Sequence, residues 1–120
     1  MEDIIKYQAA ITGAIGALGT ERKRLQELSV NKAKALSEYD KQIALAMAKL
    51  GLGETVVLEG VEITAKIASN LKEKAKGLCF EYLCSKILAE DAYKNCITNI
   101  DCLKAQLNGF QSIYRHLDEG

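Results

Sequence analysis

A chain of 120 residues is about one domain's worth of sequence, enough for a single hydrophobic core if it folds compactly. It has no proline where average usage would give roughly six, and its residues are 48% hydrophobic but only 6% aromatic. That balance argues against a sandwich or barrel and for uninterrupted helices with aliphatic seams. The formal charge is zero, from 16 basic and 16 acidic residues, so a nucleic-acid or membrane partner has to be argued from local patches.

The chain opens on Met1-Glu2-Asp3, acidic where a secretory leader would be basic, and the uncharged stretch from Tyr7 to Thr20 is too short and too glycine-rich to span a bilayer. A soluble, cytoplasmic protein with no membrane partner is expected. From about residue 3 to residue 50 apolar residues recur mostly three, four or seven apart: Ile4, Ile11, Ile15, Leu18, Leu25, Leu28, Leu36, Tyr39, Ile43, Met47 and Leu50. This is one face of a long amphipathic helix that needs a partner. Gly13, Gly16 and Gly19 interrupt it, among Ala9, Ala10, Ala14 and Ala17. Each glycine costs a helix about 1 kcal/mol relative to alanine, so the run is either a kinked segment or a smooth stripe for close helix approach. A phosphate-binding loop is disfavoured, because no strand precedes it and the lysine and Ser/Thr of a P-loop are missing.

A glycine-bearing loop is predicted over about 51–60: Gly51 and Gly53 end the first helix, and Gly60 closes the run Glu54 to Glu59, the only candidate for extended structure. A second helical pattern passes through Ile63, Ile67 and Leu71 to Lys76, and Gly77 marks a hinge or tight crossing. The last and most regular pattern runs from about Leu78 to Leu117 through Phe80, Leu83, Cys84, Ile87 and Tyr93, and continues along Ile97, Ile100, Leu103, Leu107, Phe110, Tyr114 and Leu117. It reads as a coiled-coil-like helix. The whole, residues 1–120, is one all-α domain, a long helical hairpin. A helix of about 40 residues is roughly 60 Å long, against a radius of gyration of about 14 Å for a compact chain of this size. Either the helices break, or they extend and pair with other copies; we favour a homo-oligomer whose interface is the seam from Ile97 to Leu117.

Cys79, Cys84, Cys96 and Cys102 form no Cys-x-x-Cys pair, and their spacings of five, twelve and six scatter the thiols around a helix axis. They are expected to be reduced, buried, small hydrophobic residues and not metal ligands. With His116 the only histidine and the acids dispersed, no nucleophile and base are paired, so no enzyme, cofactor or metal is expected. Charge is concentrated locally instead. Arg22, Lys23, Arg24, Lys32 and Lys34 gather in the first helix, and Lys66, Lys72, Lys74 and Lys76 precede Gly77. Such runs either solvate a helix face or, repeated around an oligomer, hold a phosphate backbone. Tyr39, Phe80 and Tyr82 are the nearest aromatic residues for base stacking, with Tyr39 and Phe80 equally suited to the core.

The C-terminal stretch Ala92-Tyr93-Lys94, Ile97, Ile100, Leu103-Lys104-Ala105 and Leu107 to Leu117 resembles the ends of small helical proteins of phage replication and recombination modules. The layout, a long first helix, a glycine-bearing loop and an oligomerising last helix, is similar to the UvsY-like recombination mediators of T-even phages. The likeness covers most of the chain in plan and about 25 residues in wording. It implies a non-enzymatic accessory factor in the host cytoplasm that oligomerises, binds single-stranded DNA and helps a recombinase load over a single-strand-binding protein. The same amphipathic helices also fit a helical protein-binding module, such as a phage inhibitor of host defence or a scaffold.

Overall fold

The computed structural model describes residues 2–64 and 70–119. Their order is α1 (Glu2–Gly51), β1 (Val56–Leu58), β2 (Val61–Ile63), α2 (Leu71–Leu78) and α3 (Phe80–Glu119). The fold is the expected all-α helical hairpin, with α1 and α3 as its arms. The chain divides into two units, one built from the chain up to Ser29 and from Asp91 onward, the other from Val30–Glu90.

α1 starts with Glu2 and Asp3 in its first turn, where carboxylates complement the positive end of the helix dipole. It passes through Gly13, Gly16 and Gly19 without a break. A Cβ built on any of these three would meet nothing within 4 Å, so among the described residues they form neither a helix break nor a packing stripe. The helix stops in a Schellman turn at Gly53, whose φ of +80° is the left-handed conformation that glycine adopts without strain. There Gly53 N–H donates to the Leu50 carbonyl at 3.0 Å and Glu54 N–H to the Lys49 carbonyl at 3.1 Å.

In the first unit α1 and α3 run antiparallel. Leu18, Cys96 and Ile100 form the buried cluster, with Leu25, Leu28, Leu103 and Leu107 packed around it. Toward the ends of the helices, Tyr7 meets Phe110 with ring centroids 6.3 Å apart, and the Gln8 amide donates to the Tyr114 hydroxyl at 3.0 Å. Full burial of a leucine such as Leu18 contributes about 1.5–3 kcal/mol. Sequence and packing agree here: the aliphatic seam on α3 is matched by the one on α1.

The second unit holds the C-terminal part of α1 and the first turns of α3 together with the hairpin and α2. β1 pairs antiparallel with β2 in the register Val56↔Ile63, Val57↔Glu62 and Leu58↔Val61. The two-residue link Glu59-Gly60 has φ of 49° and 79°, the pair of positive values that a type I′ turn needs to match strand twist. Ile63 therefore belongs to β2 and not to a helix, which corrects the expected second helix. β-branched residues on both sides of that turn outweigh the weak helical period. α2 begins only at Leu71. Lys66 and Ile67 lie outside the described residues. Gly77 is no tight crossing, since it is exposed in the last turn of α2 with open space around it. The interruption falls at Cys79, whose N–H is shared between the Ala75 and Lys76 carbonyls at 3.2 Å each. Tyr39, Leu50, Ala75 and Cys79 are the buried residues of this unit, and Lys86 lies over the Tyr39 ring at 5.2 Å.

Candidate interaction surfaces

Chemistry that would mark an active site does not gather among the described residues. No three of their His, Cys, Asp and Glu side chains come together as a metal site, and His116 is exposed in the last turn of α3. All four thiols are free. Cys79 and Cys96 are buried, but Cys84 and Cys102 are exposed, against expectation. Cys84 and Cys102 each point about 120° around the α3 axis from Cys96, and Cys102 lies beside Ala17, Thr20 and Leu103. Burial, then the hydrogen bond to Glu21 and its charge, push the Cys96 thiol pKa upward, while Arg24 opposes them. The thiol donates to both the Glu21 carbonyl and its carboxylate at 3.4 Å. A thiol that holds its proton this way is a packed polar contact and not a nucleophile.

The predicted oligomer seam has a place inside the chain. Ile100 is in the buried cluster, Leu103 and Leu107 pack on it, and Phe110 and Tyr114 contact Tyr7 and Gln8 of α1. Leu117 is half-buried, and Ile97 is exposed beside this seam.

The basic residues do not converge. Arg22, Lys23 and Arg24 are all exposed, but successive residues on a helix point 100° apart, so they fan across the solvent side of α1. Arg24 also lies 3.9 Å from the Glu21 carboxylate. In the second unit Lys34 and Lys72 are exposed, while Lys32 and Lys76 are half-buried. Lys74 donates its ammonium to the Thr64 carbonyl, which takes it away from any phosphate. Of the aromatic candidates, Tyr39 is core, whereas Phe80 and Tyr82 are more than a third exposed.

Apolar side chains also open onto the surface of both units. In the second unit a cleft of about 230 Å³ lies among Leu45, Ala46, Val56, Leu58, Leu78 and Cys79, with Gln42 and Lys49 on its lining. Leu88, Val57, Val61 and Val30 stand more than half exposed in the same unit, as do Ile5 and Ile15 in the first. None of the described helices is long and apolar enough to cross a membrane, so these side chains are not explained by a spanning helix. Comparison with family models, curated proteins and solved structures finds no match to this chain.

Proposed function

We propose that this chain is a non-enzymatic helical assembly module, which acts by packing its long helices against other helices, in the first place those of further copies of itself. One observation carries the reading. Each unit buries only four residues among those described, while large aliphatic side chains such as Leu88 at 69% and Ile5 at 62% stand open. Two paired helices have one covered side each. Closing a second side turns such a pair into a bundle with a core on every helix. Isolated exposed leucines are ordinary on any surface, but here they recur along both arms. Light scattering at micromolar concentration tests the reading: a multimer of the 13.1 kDa chain is expected, and a monomer throughout would overturn it.

A second reading keeps the resemblance to phage recombination mediators. Its support is that Arg22, Lys23 and Arg24 are all open to solvent on α1. An assembled ring of such clusters would bind single-stranded DNA with a log–log salt slope near −0.7 per phosphate neutralised. Fluorescence anisotropy with labelled oligo-dT at low salt decides it. Alanine at all three positions should weaken binding and flatten the slope, and the absence of binding by the unmodified chain removes this reading.

A further inference from the structure

The outer face of α1 in the first unit is unusual because nothing charged lies on it from Tyr7 to Thr20. Its exposed positions follow at helical steps: Ile5, Ala9, Thr12, Gly16 and Thr20, with Glu2 before them and Lys23 after. The two threonines do not make it polar. Thr12 donates its hydroxyl to the Gln8 carbonyl at 3.0 Å and Thr20 to the Gly16 carbonyl at 3.2 Å, so both hydroxyls turn back into their own helix. What remains toward solvent is short, apolar and open, with Ile5 as the large side chain in the stripe and Ile15 exposed at its edge.

This face is complementary to itself. Under a two-fold axis between residues 12 and 13, position i of one copy meets position 25 − i of the other, as an isologous interface requires. Ile5 then lies against Thr20, Ala9 against Gly16 and Thr12 against Gly13, so small residues oppose one another at the point of closest approach. Glu2 lies against Lys23, and Asp3 falls level with Arg22. Among the described residues neither Glu2 nor Lys23 has an ion-pair partner within the chain. Parallel pairing of the same face would set Glu2 on Glu2 and Lys23 on Lys23, and like charges in register oppose assembly.

We infer that a second copy of this chain covers the outer face of α1 in antiparallel register, with Glu2 of each copy paired to Lys23 of the other. The inference rests on the self-assembly reading above and gives it a specific partner and register. Charge reversal tests it. In analytical ultracentrifugation Lys23→Glu should raise the dimer dissociation constant at least tenfold, and Glu2→Lys added to Lys23→Glu should restore it. Both positions are exposed, so neither change disturbs the core. Cross-linking gives an independent readout, with Cys84 and Cys102 changed to serine. Ile5→Cys combined with Thr20→Cys should form a disulfide-linked dimer on mild oxidation, and either single variant should not. A multimer that ignores the charge reversals, or single variants that cross-link as well as the pair, would overturn the register and leave self-assembly standing. A chain that is monomeric at every concentration would overturn both.

Discussion

The two units use the same pair of helices and finish them differently. In the first, α1 and α3 have only each other, and the buried cluster is Leu18, Cys96 and Ile100. In the second, a hairpin and α2 are added, and burial goes deeper, to 1% exposure at Leu50 and none at Ala75. The added elements do not leave a cleaner surface, since Val57, Val61 and Leu52 project from the connection itself. The outer α1 face of the first unit is small and smooth, whereas the second unit is bulky and aliphatic. A smooth helix face favours close packing of a like helix. Protruding aliphatic groups need a partner with pockets to receive them.

The largest perturbation of this contrast is a charge in the first unit's core. Leu18→Asp would bury an unpaired carboxylate, which costs several kcal/mol. Hydrogen exchange should show protection lost through residues 10–28 and 92–107 while the hairpin stays protected. Loss of both together would mean that the units unfold as one. Leu50→Ala in the second unit should cost about 3 kcal/mol through lost transfer energy and an uncollapsed cavity. The half-buried Leu107→Ala in the first unit should cost roughly half that; urea melts compare them.

Two glycines should then respond with opposite sign. Gly53→Ala forces a side chain into φ +80° and should destabilise the second unit by about 1 kcal/mol. Gly109→Ala adds a Cβ that meets nothing within 4 Å inside α3, ten residues before its end, and should stabilise the first by about 0.5–1 kcal/mol. Thermal melts read both.

Thiol chemistry gives the smallest effect. Cys84 and Cys102 should react promptly with a thiol reagent, and the buried pair Cys79 and Cys96, whose pKa values are both raised by burial, only on unfolding. A raised thiol pKa means that the folded chain holds the proton more tightly than the unfolded one. That contribution to stability is fully present below the ordinary thiol pKa and is lost as pH climbs from there through the raised value of the folded chain. Cys96→Ala should weaken the alkaline fall in melting temperature; an unchanged profile would place its cause elsewhere.

The long helices were legible because their apolar period is carried by many residues, and the errors came where few residues decide. The hairpin's second strand is three residues long, and its signal, Glu59-Gly60 between Leu58 and Val61, fits the end of a loop equally well. The α3 seam was found residue by residue, yet a seam does not say whether its partner is the same chain or another; here α1 fills that place. The basic clusters were legible as composition but not as surface. A lysine stem is long enough for Lys74 to curl onto the Thr64 carbonyl, and adjacent residues on a helix cannot face one way. Burial of the cysteines depended on which side of α3 each occupies, and only Cys96 shares the side of Ile100 and Leu103.

The separation in sequence between the two arms of the first unit sets an order of events during synthesis. Gln8 waits for a partner 106 residues downstream, and Glu21 for one 75 residues downstream. At about 5–20 residues per second of translation, the seam on α1 is outside the ribosome for roughly 5–20 s before the far end of α3 exists to cover it. The hairpin, by contrast, closes within microseconds of its turn emerging. The hairpin can therefore close on the nascent chain while the first half of α1 is still single. Until then the apolar side of α1 that carries Leu18, Leu25 and Leu28 has no partner in its own chain.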